Sequence, residues 1–150
     1  MENLFEVNEV KLTYKTAQKA SERSKVSDSK TSYRLLQNCF DSDTIELREY
    51  FKVLLLNRSN KVLGVFNVSE GGTSQTAVDV RLIMQSAILS NASGIILCHN
   101  HPSGSLTASR QDELLTQRIK KACEVMDIAL LDHIIIGLDG YYSFADEGNI

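Results

Sequence analysis

Histidine occurs three times in this chain, proline once and tryptophan not at all. No apolar run approaches the roughly 20 residues a helix needs to span a bilayer, so no membrane partner is expected. Cysteine is limited to Cys39, Cys98 and Cys123. They are odd in number and widely spaced with no C-x-x-C pair, which fits three reduced thiols in a cytoplasmic protein. The N-terminus, Met1-Glu2-Asn3-Leu4-Phe5-Glu6, is acidic and lacks the basic-then-apolar order of a signal peptide. Neither G-x-G-x-x-G nor a Walker loop is present, which removes two common nucleotide cradles.

Excess charge is small as well. The net charge of −3 argues against a surface devoted to phosphate. Its distribution is uneven, however. Residues 11–34 hold Lys11, Lys15, Lys19, Arg23, Lys25, Lys30 and Arg34 against Glu22 and Asp28. That basic arm has two readings, a weak nucleic-acid contact and a solvated surface segment.

The scarce residues gather in one place. Two of the three histidines and the only proline lie in His99-Asn100-His101-Pro102-Ser103-Gly104, followed by Ser109 and Asp112. Alternation in an extended segment puts His99 and His101 on one face. Two imidazoles and a carboxylate returning from a nearby helix make a three-ligand zinc site with an open fourth position.

The chain around this stretch reads as one compact α/β (α+β) domain, since 150 residues leave room for little more. Val10, Leu12 and Tyr14 alternate with polar neighbours, which predicts a strand over Val7 to Tyr14. Ser29 or Ser32 could cap a short helix carrying Tyr33, Leu36 and Phe40. Tyr50 to Leu56 is apolar on both faces and belongs inside a sheet. After the turn Asn57-Arg58-Ser59-Asn60, residues 61–69 alternate, with Val62, Gly64, Phe66 and Val68 on one face, so 50–69 is an antiparallel hairpin. Asp79 caps a helix whose apolar positions are Val80, Ile83, Met84, Ala87 and Ile88. Ile95-Ile96-Leu97-Cys98 is a short central strand with His99 at its C-terminal end. A helix over 109–126 buries Leu115, Ile119, Ala122 and Met126. Strands from Leu130 to Gly137 and from Tyr141 to Phe144 close a mixed central sheet flanked by helices.

Asp112 discriminates best among readings of the site. It precedes Leu115 by three residues and Ile119 by seven, so it shares their inward face. A carboxylate turned inward needs a cation or several donors. Ser109-x-x-Asp112 also matches a capping box, in which the aspartate reaches back to the cap. Glu49, read from its neighbours alone, is an exposed residue at a helix end or a strand start. His133 precedes three isoleucines and reads as a hydrogen-bonded core histidine rather than a fourth ligand. Cys98 points away from His99 by strand parity.

The full constellation H-x-H-P-S-G-x4-S-x2-D resembles the JAMM motif of the JAB/MPN metalloprotease superfamily. Ser93 to Gly104, Leu131 to Gly137 and Tyr141 to Phe144 narrow the resemblance to its RadC-like branch, over about residues 46–150. It implies a JAB/MPN-like (cytidine-deaminase-like) single domain, with 1–45 as an N-terminal strand and helix extension. By that resemblance His99, His101 and Asp112 would bind zinc, which lowers the pKa of a bound water toward neutrality. Glu49, in Leu47-Arg48-Glu49-Tyr50-Phe51, would move the proton to a leaving amine. Glu46 is its rival. Ser109 would donate to the developing oxyanion, an effect worth ~3 kcal/mol. The implied partner is a peptide or isopeptide substrate.

Residues 1–45 carry no helix-hairpin-helix signature, the DNA-binding part of larger RadC-like proteins. The DNA-repair association of the family therefore rests here on the basic arm alone. A non-catalytic DNA-repair or mobile-element accessory, or a metal-free scaffold, is the alternative role. A zinc deaminase is disfavoured, because neither H-x-E nor P-C-x-x-C is present.

Overall fold

The computed structural model describes residues 7–11, 13–73 and 76–150. Met1 to Glu6 and Leu12, on which the signal-peptide and first-strand readings partly rest, lie outside the described residues. Among the described residues no helix is long and apolar enough to cross a membrane.

A five-stranded mixed sheet forms the centre. Its strands are β1 (Tyr50–Leu56), β2 (Val62–Glu70), β3 (Gly94–Asn100), β4 (Ala129–Ile136) and β5 (Tyr141–Ser143), ordered β2-β1-β3-β4-β5. β1 lies antiparallel between β2 and β3, and β3 runs parallel to β4. Strands paired on both edges and covered on both faces can be apolar throughout. That is why Val53 to Leu56 and Ile95 to Cys98 carry no polar alternation.

Helices cover both faces. Phe51, Val53 and Leu55 of β1 and Ile95 and Leu97 of β3 pack with Ile83 and Ala87 of α2 (Val80–Leu89) and Ile119 and Cys123 of α3 (Arg110–Val125). The alternate residues Leu54, Leu56, Ile96 and Cys98 pack with Leu36 of α1 (Ser29–Gln37), Phe40 and Ile45. Each such side chain, fully buried, contributes about 1.5–3 kcal/mol. Parity then places His99 on the α2/α3 side of the sheet and Cys98 on the α1 side.

Several local expectations are corrected. No strand forms in the described part of Val7 to Tyr14, where Val7 and Val10 stand exposed. The entry to β2 is met instead by residues 24–26: Val62 N donates to Ser24 O, and Val26 N donates to Asn60 O. The cap of α1 is Asp28 rather than Ser29 or Ser32, its carboxylate accepting Thr31 N at 2.6 Å. Two register irregularities break the alternation of β2, because Leu63 and Val68 are skipped in the pairing with β1. Val62 therefore packs on the α1 side, while Phe66 and Val68 pack on the other. Such an extra residue flips every side chain beyond it. On α3, Cys123 takes the buried place expected of Met126, which lies past the helix end and is exposed. Ile88 of α2 is exposed too.

Candidate metal centre

The site is built where β3 leaves the core. His99 is 1% exposed and stacks on Phe51, its register partner across β1, with ring centroids 5.8 Å apart. His101 follows on the same side, its Nε2 3.0 Å from His99 Nε2. Its other nitrogen, Nδ1, lies 2.9 Å from the Ser105 carbonyl. A carbonyl can only accept, so Nδ1 carries the proton of the neutral ring and leaves Nε2 bare. The turn between them needs glycine: Gly104 has φ +76° and its N–H donates to His101 O.

The third group comes from the start of α3. Ser109 is its N-cap, with Asp112 N donating to Ser109 Oγ at 3.1 Å and Ser109 N donating to Asp112 Oδ2 at 2.8 Å. The capping box is therefore real. The same carboxylate also faces the histidines, with Oδ1 3.2 Å from His99 Nε2 and Oδ2 3.3 Å from His101 Nε2. Capping and approach to the imidazoles are not alternatives, because a carboxylate has two oxygens and several lone pairs. Burial pushes the Asp112 carboxyl up, but the imidazoles of His101 and His99 beside its two oxygens override that and hold it far below the usual range. In turn the Asp112 hydrogen bond raises His101 above its ordinary value.

Glu49 precedes β1 by one residue. It is 8% exposed rather than open to solvent, and its carboxylate and both imidazoles offer ligand atoms all within 4.8 Å of one another. Glu46 is exposed. The Gly71-Gly72 pair that ends β2 clasps the Glu49 backbone, Gly71 N donating to Glu49 O and Glu49 N to Gly72 O. Burial raises the Glu49 carboxyl above its ordinary value, and the two histidines offset part of that. The two carboxylates are thus driven in opposite directions.

Three supporting residues were not singled out as site residues in the sequence. Asn100, the x of H-x-H, is fully buried; its Nδ2 donates to the carbonyls of Ile45 and Arg48, and its Oδ1 accepts Tyr50 N. A polar residue at the end of a fully buried strand was the available signal. His133 is buried as expected, and it also touches the centre: its Nε2 lies 2.8 Å from His99 Nδ1. Its Nδ1 lies 2.6 Å from Oγ1 of Thr116, the buried polar residue of α3. Burial holds the His133 imidazole well below its usual pKa.

Glu49, His101, Ser109 and Asp112 line a cleft of about 520 Å³, together with Phe51 and Leu115 among others. None of the described lining residues is Lys or Arg. Two imidazoles and two carboxylates with no cationic side chain among them form a donor set suited to a divalent ion of the zinc type.

The profile of the RadC-like JAB domain matches residues 26–149. A "UPF0758 protein" of Porphyromonas gingivalis is 48% identical over 133 residues, covering 88% of this chain and 57% of the relative. One from Flavobacterium johnsoniae is 46% identical over 83% of this chain and 53% of the relative. One from Thermotoga maritima is 37% identical over 80% of this chain and 54% of the relative. The chain thus spans little more than half the length of these curated relatives.

Proposed function

The chain belongs to the RadC-like JAB domain family, and from that premise we propose that it is a zinc-dependent hydrolase of amide or isopeptide bonds, a JAMM-type metallopeptidase. One observation carries the reading. His99 Nε2, His101 Nε2 and the Asp112 carboxylate converge to 3.0–3.3 Å, and His101 and Asp112 line the cleft. Groups that mainly accept, brought that close, need a proton or a cation between them.

His99, His101 and Asp112 would hold the metal. When bound, zinc would supply a Lewis acid that lets water give up a proton near neutral pH. The division of labour between the carboxylates follows from their environments. Asp112 is kept ionised and serves as a ligand, whereas burial makes Glu49 a better proton acceptor. Glu49 receives the proton from the attacking water and returns it to the departing amine. Ser109 accepts from Asp112 N with its oxygen, which leaves its hydroxyl hydrogen free to donate to the oxyanion. A peptide or isopeptide strand in the cleft, in a cytoplasmic setting that keeps Cys39, Cys98 and Cys123 free, completes the proposal.

The test is zinc content by elemental analysis, on this chain purified without chelator or affinity nickel. About one zinc per chain, lost in folded His101→Ala and Asp112→Ala, is expected. A folded wild type that takes up no zinc when supplied with it removes the hydrolase. A second reading is favoured by the exposure of Lys11, Lys15, Lys19, Lys25 and Lys30. It makes the chain a DNA-repair or mobile-element accessory that contacts nucleic acid through 11–34.

A further inference from the structure

We infer that Thr116 and His133 form a positioning relay that fixes His99 as the Nδ1–H tautomer, so that its bare Nε2 faces His101 and Asp112. The inference rests on the metal-centre reading for its purpose but not for its geometry. It starts from Thr116, whose hydroxyl has one hydrogen and two close neighbours. Asp112 O lies 2.6 Å from Oγ1 and His133 Nδ1 lies 2.6 Å from it. The backbone carbonyl can only accept, so the hydroxyl hydrogen goes to it. Oγ1 then presents a lone pair to His133, and Nδ1 must carry the ring proton.

His133 has no exposed surface and lies between aromatic walls, stacked on Phe144 at 4.6 Å and edge-on to Phe51 at 5.6 Å. Its side-chain hydrogen bonds go only to Thr116 and His99 among the described residues. A charged ring there would be desolvated without a carboxylate directly on it, so the ring is neutral and has one N–H. With that proton on Nδ1, His133 Nε2 is an acceptor. His99 Nδ1, 2.8 Å away, therefore donates to it. The remaining nitrogen of His99 is left with a free lone pair, which is the form a metal takes.

Backbone contacts hold the relay in register. His133 N donates to Asp132 Oδ1 at 2.7 Å, and Asp132 also accepts from Ser143 Oγ and Ala145 N. Thr116 sits one turn after Asp112 on α3. One helix turn thus supplies both the carboxylate that approaches His99 and the hydroxyl that orients it through His133.

The experiment is two-bond ¹H–¹⁵N correlation NMR on the metal-free, uniformly ¹⁵N-labelled full chain. Its three imidazoles are assigned with single His→Gln variants. His99 and His133 are both expected as Nδ1–H tautomers. Thr116→Val, which removes the acceptor at constant volume, is expected to shift both rings toward Nε2–H, and Thr116→Ser to restore them. Zinc affinity, measured with zinc alone against a chromophoric chelator, should fall about 10–100-fold in Thr116→Val and recover in Thr116→Ser. A wild-type His99 protonated on Nε2, or Thr116→Val and Thr116→Ser giving the same tautomers, overturns the relay. Nδ1–H on both rings in a chain that binds no zinc upholds the relay and removes the hydrolase reading instead.

Discussion

The side-chain carbonyl of Asn100 accepts the backbone N–H of Tyr50 at 2.8 Å, on the face of β3 opposite the two histidines. Its amide nitrogen holds the carbonyls of Ile45 and Arg48 at 2.6 and 2.9 Å. The residue between the histidines therefore fixes the segment that delivers Glu49 to them. One strand end sets all three positions, two by its inward side chains and one by its outward side chain.

Asn100→Ala leaves an N–H and two carbonyls without their partner in a fully buried place. Each orphaned group costs roughly 1–3 kcal/mol, reduced by whatever water enters. The expected loss is about 3 kcal/mol in urea unfolding, with cleavage falling further than stability because Glu49 is no longer held. A variant within about 0.5 kcal/mol of wild type would mean that the loop is fixed by the Gly71-Gly72 clasp alone.

Glu49→Gln separates a base from a ligand. The proposal expects about one zinc per chain to be retained while amide or isopeptide cleavage falls by about 10²–10⁴. Asp112→Asn, by contrast, should lose metal and cleavage together. Loss of zinc in both variants would make Glu49 a ligand, a role its position within 4.8 Å of both imidazoles also permits. Glu46→Gln, on an exposed residue, should change neither quantity.

Much of this arrangement was legible in the residues. The buried strands announced themselves because a strand paired on both edges has no polar face to show, and His99 and His101 share a side because extended chain has a period of two. The missed features share a physical cause. Leu63 and Val68 are skipped by bulges, which no pattern of apolar residues reveals in advance. The Val7 to Tyr14 alternation had an apolar side, yet in the described part Val7 and Val10 stand exposed and it is residues 24–26 that pair with the start of β2. Glu49 looked like a surface residue because what surrounds it, the Gly71-Gly72 clasp and the two histidines, comes from far along the chain. Ser109 and Asp112 illustrate the opposite case: the carboxylate that closes the capping box is also the one that faces both histidines.

The metal-free protein should show two opposite pH dependences. Asp112 raises the folded-state pKa of His101 above 6.5. Its contribution is then fully present below pH 6.5 and is lost as pH rises through the raised value. Burial depresses His133 below 6.5, so its contribution is present above that pH and disappears as pH falls through the depressed value. Thermal unfolding from pH 4 to 9 should therefore show the gap between wild type and His101→Gln closing on the alkaline side. The gap to His133→Gln should close on the acid side. Saturating zinc should remove the alkaline effect, because the ion replaces the proton between His101 and Asp112. An alkaline loss that is equal in wild type and His101→Gln would place its origin elsewhere.

The basic arm offers the remaining decision, between a nucleic-acid contact and a solvated segment. Its lysines are exposed, and Lys61 Nζ, just ahead of β2, reaches the Ala20 carbonyl, so the arm runs beside the sheet edge and not across the cleft. A contact through it would be electrostatic, since no aromatic ladder accompanies the charges. Fluorescence anisotropy with a labelled duplex should then give weak binding, with a Kd of roughly 10⁻⁴–10⁻⁶ M at physiological salt. Log affinity should fall with log salt at about 0.9 per phosphate neutralised, and the combined variant Lys11→Glu, Lys15→Glu, Lys19→Glu should flatten that slope by about three such steps. Zinc content should stay the same in that variant, because none of the three lysines lines the metal centre. Affinity that is absent at low salt, or indifferent to salt, leaves the arm as solvated surface and the cleft as the chain's one proposed site of action.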